Sequence, residues 1–243
     1  MSRILSPVAL VTGAAQRIGA AIARRLHQSG FQVMVHYHHS KEAAMHLANQ
    51  LNQERANSAH TVGADLRDQS AAQSIIDATL SRYEQLNVLV NNASIFSRQD
   101  ADWMDMFLCN VQAPYGLSLA AFSHLSQTKG SIINITDIHA SMPLRDYAVY
   151  CQSKAALAMQ TKALALEFAP AVRVNAIAPG AIAWPEGDNQ VSQNIQDHII
   201  AKTLLRRHGD PRFVAKAVMY LVDNDFVTGQ TLQVDGGRYL NGI

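Results

Sequence analysis

Two periodicities alternate regularly along this chain, and that alternation limits what it can fold into more than any other property. Seven short runs rich in β-branched and aliphatic residues recur from one end to the other: "VALVT", "FQVMVHY", "AHTVGAD", "NVLVNNA", "SIINIT", "VRVNAIAPG" and "GQTLQVDGG". Longer stretches with helical spacing separate them. In the first stretch Ile18, Ile22 and Leu26 share one face, Arg24, Arg25 and Gln28 point elsewhere, and Gly30 can end the helix. A second begins at Ser40, a good N-cap residue, with Leu47 and Leu51 facing inward. A third runs from about Asp68 to Tyr83 and carries Ile75, Ile76 and Leu80. Near-continuously apolar strands alternating with helices predict an α/β fold on a parallel sheet with helices on both faces. Right-handed crossovers make that sheet doubly wound and Rossmann-like, of about seven strands, with ligands at the strands' carboxyl ends.

At 243 residues without a convincing linker, the chain is expected to form a single domain over 1–243. The polar segment "WPEGDNQVSQNIQD", beyond the sixth strand, reads as an insertion, a substrate lid at about residues 183–206. Hydrophobic residues make up 48% of the chain, enough for a buried core. Twenty basic residues stand against 19 acidic ones. Such balance produces no long-range field, which argues against nucleic acid or an anionic membrane as partner. The longest apolar runs are strand-sized, so no transmembrane helix is expected. The start, "MSRILSPVALVTG", commits to a strand too early for a signal peptide. Cys109 and Cys151 have neither metal-ligand spacing nor the pattern of a disulfide framework, and a reducing cytoplasm fits them.

Four groups of residues carry candidate chemistry. The turn "VTGAAQRIG" lies between the first strand and first helix, where unsatisfied backbone amides and the helix dipole favour a phosphate. Gly13 and Gly19 suit such a turn, although an ordinary strand–helix turn would also contain glycine. At the end of the second strand, "MVHYHHSK" has no acid between Phe31 and Lys41. A ribose carboxylate is therefore missing, while His38, His39, Ser40 and Lys41 can donate to a 2′-phosphate, which favours NADPH over NADH. A solvated loop and a metal cluster of His36, His38 and His39 are the alternatives, but strand alternation splits those histidines between faces and no acid completes a ligand set. No metal is therefore expected. In "YCQSK" Tyr150 and Lys154 sit at i and i+4 on one helix face, where an ammonium would lower the phenol's pKa toward the range of a general acid. The same spacing also arises by chance on helices. Asp137 follows the fifth strand, and Asn110 lies upstream, so both can converge on that pair; Asp137 could equally cap a turn.

Taken in order, "TG" after the first strand, "AD" at 64–65, "NNA" at 91–93, Asn110, "YCQSK", "PG" at 179–180 and "VDGG" near the end resemble the short-chain dehydrogenase/reductase family from Pro7 to Leu240. The resemblance implies that Gly13, Arg17, Ile18 and Gly19 lie along the cofactor phosphates. It places Asp65 and Leu66 at the adenine, Asn92 and Ala93 at a ribose, and Pro179, Gly180 and Ile182 at the nicotinamide. Tyr150 would then donate the proton, Lys154 bind the nicotinamide ribose and tune Tyr150, and Asn110 hold a relay water. Two departures from the common pattern narrow it further: Arg17 replaces a middle glycine, and Asp137 a serine that polarises carbonyls. Both resemble the pteridine reductase branch. "HYHHS" resembles that branch's "HYHRS", with His39 in place of arginine, and "NNASIF" puts Ser94 near cofactor and pterin and Phe96 opposite the nicotinamide.

The expected activity is reduction of a dihydropterin, such as dihydromonapterin, dihydrobiopterin or dihydrofolate, by NADPH. Its planar ring would stack between nicotinamide and Phe96. Arg17 would face the pyrophosphate and the pterin carbonyl, Asp137 would accept substrate N–H groups, and Ser94 and Tyr150 would complete the substrate contacts. Phe96 could instead be a core aromatic. A carbonyl reductase acting on 3-oxoacyl thioesters and a non-catalytic NADPH-binding protein are the rival readings. The resemblance implies a homotetramer. Trp184 and Glu186 either touch substrate or, for Trp184, pack against the domain.

Overall fold

The computed structural model describes residues 6–98, 102–185 and 189–241. Seven strands form one sheet: β1 (Val8–Val11), β2 (Gln32–Tyr37), β3 (Ala59–Gly63), β4 (Val88–Asn91), β5 (Ser131–Ile135), β6 (Arg173–Pro179) and β7 (Thr231–Val234). Their order is β3-β2-β1-β4-β5-β6-β7. Every pairing is parallel. The order reverses between β1 and β4, where two crossovers leave in opposite directions and open a crevice at the strands' carboxyl ends.

The linking helices are α1 (Arg17–Gln28), α2 (Lys41–Glu54), α3 (Ala71–Tyr83), α4 (Trp103–Phe107), α5 (Ala113–Thr128), α6 (Ala148–Phe168), α7 (Gln193–Lys202) and α8 (Pro211–Asp223). A π-helical turn, Leu108–Gln112, joins α4 to α5. Side-chain alternation in β1 divides the core. Ala9 and Val11 face α1, α2 and α8 through Ile22, Leu26, Leu47, Leu51, Val214 and Val218. Val8 and Leu10 face α3, α5 and α6 through Ile75, Ile76, Leu117, Leu125, Leu164 and Phe168. Burial on both faces explains why these strands read as continuous apolar runs.

The second helix starts where expected and the third does not. Ser40 occupies the N-cap of α2, but its side chain makes no capping bond. The third helix begins at Ala71 rather than about Asp68, because Asp68 turns its carboxylate onto the Ser70 N–H and hydroxyl, both at 2.8 Å. That local bond competes with helical backbone pairing. Gly30 takes φ +95° after α1, a conformation glycine adopts without strain. Among the described residues no helix is long and apolar enough to cross a membrane.

Candidate active site

The crevice is a cleft of about 1300 Å³ along the carboxyl ends of the strands. Pockets for drug-sized ligands run to roughly 1,000 Å³, so this one has room for a dinucleotide and a second molecule. Its floor begins at the β1–α1 turn. There the Thr12 hydroxyl oxygen accepts the N–H groups of Asn92 (2.9 Å) and Ala93 (3.1 Å). The Asn92 side chain returns two bonds, to the carbonyls of Thr12 (2.8 Å) and Gly13 (3.0 Å). Gly13 has φ +58°, and a Cβ there would come within 2.9 Å of the Ala93 Cα. A Cβ on Gly19 would overlap the Gly13 carbonyl. Both glycines are thus required by close backbone approach. His36 fixes the same turn: its Nδ1 accepts the Gly13 N–H (3.2 Å) and its Nε2 donates to the Ala64 carbonyl (3.1 Å). Burial pushes its pKa down to about 4, so the ring is the neutral tautomer that these two bonds require.

No side chain caps the start of α1. Its first-turn amides belong to Arg17, Ile18 and Gly19, which line the cleft. Uncapped amides at a helix start favour an anion such as a pyrophosphate. Arg17 itself has φ +53°, which costs a side-chain-bearing residue about 1 kcal/mol. Its Nη2 donates to the carbonyls of Ala183 (3.1 Å) and Trp184 (2.7 Å), tying the turn to the segment after β6. The sequence reading anticipated neither bond.

At the end of β2, His38, His39 and Ser40 line the cleft, with the two imidazole centroids 3.5 Å apart. An acid is nonetheless present in space. Asp65, beyond β3, comes within 3.5 Å of His38 Nε2. Arg67 forks onto the same carboxylate at 2.7–3.1 Å and reaches Asp105 at 2.6 Å. These bonds hold the Asp65 carboxyl far below the usual carboxylate range. One guanidinium thus serves two carboxylates, Asp65 and Asp105, and offsets part of the charge beside the end of β2. Leu66 borders the same wall.

The candidate catalytic residues lie over β4, β5 and α6. Asp137 divides its carboxylate: Oδ1 accepts the His139 N–H (2.9 Å), capping a short turn, and Oδ2 accepts the Tyr150 hydroxyl (2.7 Å). Both roles considered for it hold. Lys154 donates to the Ile135 carbonyl (3.0 Å) and lies 5.8 Å from the Tyr150 ring centroid. The expected lowering of the Tyr150 pKa is overturned. Burial, then the adjoining Asp137 anion and its hydrogen bond, raise the phenol well above its ordinary value. Tyr150 is held protonated. Phe96 stacks on Tyr147 (4.5 Å, 14°) and meets Tyr150 edge-on (4.7 Å, 85°), forming an aromatic wall. Asn110 lies behind that wall, fully buried in the π-helical turn. Its side chain bonds both backbone groups of Ile95 (2.8 and 2.9 Å) and the Ser153 hydroxyl (3.0 Å). Both amide hydrogens are thereby committed to protein acceptors.

Burial drives the Lys154 ammonium down to about 8. Between about 8 and the unfolded value of 10.5 the unfolded chain binds a proton that the folded chain does not, so stability rises with pH across that window. At pH 7 the buried charge costs about 3 kcal/mol. Lys154→Met removes that cost and the bond to Ile135, and is expected to stabilise the protein by about 2 kcal/mol at pH 7. The gain should vanish near the top of the window. Urea titrations at several pH values measure it, and a destabilised variant at pH 7 would contradict the account.

Gly13, Arg17, Ile18, Gly19, Ser94, Asn92, Ala93, Pro179, Gly180 and Ile182 converge on the cleft with Asp137, Tyr150 and Lys154, while Asn110 stands outside it. Sequence reasoning missed Tyr147, Arg98, Asn189 and Arg238. Arg98 donates to the Tyr147 hydroxyl (2.7 Å), which donates to Asn189 (3.1 Å), and Asn189 donates to the Phe96 carbonyl (2.8 Å). This chain of bonds ties the segment beyond β6 to the aromatic wall. Only Tyr147 carried a signal, three residues before Tyr150 at the N-cap of α6. Trp184 packs on His208 at 4.3 Å. Glu186 lies outside the described residues.

A family model described as enoyl-(acyl carrier protein) reductase matches residues 13–238. Pteridine reductase 1 of Leishmania tarentolae is 34% identical, the alignment covering 97% of each chain. A protein of Streptomyces violaceoruber, named as a ketoacyl reductase of the granaticin polyketide synthase, is 36% identical, again over 97% of each. A 3-oxoacyl-(acyl-carrier-protein) reductase of Staphylococcus aureus (strain Mu50) is 31% identical, over 96% of this chain and 98% of its own.

Proposed function

This chain belongs to the short-chain dehydrogenase/reductase family of nicotinamide-dependent oxidoreductases, and on that premise we propose that it is an NADPH-dependent reductase of dihydropterins. The observation that carries the reading is the bond from Tyr150 to Asp137 beside the Phe96 wall. A plain carbonyl needs donors. A carboxylate next to the proton donor instead suits a ring that presents N–H groups, as a pterin does. The likeness to pteridine reductase 1 supports this.

When bound, the reduced dinucleotide supplies the hydride that reduces a C=N bond of the ring. The chain's own groups do the rest. The α1 turn and Asn92 hold the phosphates and ribose. Phe96 and Tyr147 hold a flat ring in place, Asp137 accepts its N–H groups, and Tyr150 redirects its hydroxyl proton from Asp137 to the ring nitrogen. Lys154 compensates the phenolate left behind. Arg17, already bridging to the carbonyls after β6, keeps further guanidinium donors for the ring oxygen. Val191, Ile195, His198 and Ile199 line this end of the cleft and support the reading of a substrate lid on a single-domain enzyme. The exposed Met104, Tyr115, Leu119 and Met159 suit burial between copies in a homotetramer.

NADPH preference rests on His38, His39 and Ser40, which line the cleft at the end of β2. kcat/KM with NADPH is expected to exceed that with NADH by roughly tenfold or more, equivalent to about 1.4 kcal/mol from the phosphate contacts. Equal values would remove the phosphate-site assignment. The 3-oxoacyl reductase relatives favour a second reading, reduction of a 3-oxoacyl thioester. NADPH oxidation followed at 340 nm with dihydrobiopterin, dihydrofolate and acetoacetyl-coenzyme A separates the two. Brisk thioester reduction without pterin turnover would replace the first reading by the second.

A further inference from the structure

We infer that Arg238 determines substrate specificity by holding an anionic group, carboxylate or phosphate, on the substrate's tail. The inference rests on the proposed function for the identity of the ring, though not for the anion. Arg238 opens the short turn Arg238–Asn241 after β7. That turn is fixed at both ends. Asp235 accepts the N–H groups of Gly237 (2.9 Å) and Tyr239 (2.7 Å). Leu205 N–H donates to the Gly236 carbonyl (3.1 Å), and the Asn241 side chain to that of Lys202 (2.9 Å). The turn is thereby held under the C-terminal end of α7, and its first side chain lines the cleft.

This guanidinium is half-buried and makes no hydrogen bond to any described residue. Burial works against its charge, while Asp137 and Asp235 support it through space. Neither carboxylate serves as its partner. Asp235 accepts backbone amides and Asp137 accepts from His139 and Tyr150, and among the described residues neither makes a hydrogen bond or close ion pair with Arg238. The neighbouring cations differ. Arg17 and Arg98 already donate to protein acceptors. Five planar donors partly withdrawn from water need an acceptor, and a carboxylate or phosphate presents two oxygens at the matching spacing. Arg238 stands on the Asp137 side of the cleft, so such an anion would sit beyond the reacting ring, toward α7.

The test compares wild type, Arg238→Met and Arg238→Lys, full-length and with NADPH, on dihydrofolate (charged glutamyl tail) and dihydrobiopterin (neutral tail). Arg238→Met should raise KM for dihydrofolate roughly tenfold at little-changed kcat, and Arg238→Lys should recover part of the loss. KM for dihydrobiopterin and for NADPH should stay within about twofold, on the scale where tenfold is 1.4 kcal/mol. Equal changes on both pterins, or none, would overturn the inference. If wild type reduces no pterin, the proposed function fails, and the same variants are compared on acetoacetyl-coenzyme A and its N-acetylcysteamine analogue. Loss confined to the coenzyme A thioester, which carries the phosphates, upholds the anion site; equal loss or no loss ends it. A thermal melt shows whether Arg238→Met is folded, and Arg238→Gln replaces it if not.

Discussion

Tyr150→Phe is expected to lower kcat/KM by roughly three orders of magnitude while leaving dinucleotide affinity within about twofold. The substitution removes one hydroxyl and keeps the ring. Its edge-on contact with Phe96 and its place in the cluster of Met106, Tyr147 and Val149 therefore persist. What goes is the proton held 2.7 Å from Asp137. Asp137 is partly exposed, so water can replace the lost donor, and the stability cost should stay near 1–2 kcal/mol. The proposed dinucleotide contacts lie elsewhere, on the α1 turn, Asn92 and Lys154. Steady-state kinetics beside a fluorescence titration with NADPH measures both quantities. A variant with more than about a tenth of wild-type turnover would show that Tyr150 is not the proton donor. A variant that loses cofactor binding equally would show that the hydroxyl organises the site rather than reacting.

The parts of this fold that were legible are those governed by local pattern. Val8–Val11 and Val88–Asn91 are buried on both faces, so nothing polar interrupts them, and the strands could be read directly. The order of motifs along the chain likewise located Tyr150, Lys154, Asp137 and the β1–α1 turn. What stayed hidden depends on residues distant in sequence. Arg67 bridges Asp65, two positions away, to Asp105, 38 positions on, which altered the charge near the end of β2 without any trace in "MVHYHHSK". Arg17 finds its acceptors 166 and 167 residues away. The direction of the Tyr150 shift was misjudged for a related reason. Helical spacing puts Lys154 near, but only the fold puts Asp137 nearer and excludes water, and together they outweigh the ammonium.

On the proposed function, that same competition would make Asp137 the position that selects substrate class, and Asp137→Ser is expected to invert it. A serine hydroxyl can still accept the His139 N–H, so the short turn at Ile138–Ala140 should survive. The anion is lost, and with it a charged acceptor for ring N–H groups, worth about 1.5–3 kcal/mol. Pterin kcat/KM should fall roughly 10- to 100-fold on that basis. A ketone needs a donor where the pterin needs an acceptor, so acetoacetyl-coenzyme A should be reduced no worse than by wild type. The pH profile supplies an independent check. Asp137 raises both Tyr150 and Lys154, each of which must be protonated, so removing it lowers both groups. The alkaline limb of kcat/KM should therefore move to lower pH, starting from a wild-type limb governed by Lys154 near 8. Profiles of the two proteins on the same pterin decide it. An unshifted limb would mean that the carboxylate does not couple to the reacting pair. An unshifted substrate ratio would mean that something other than Asp137 selects the ring.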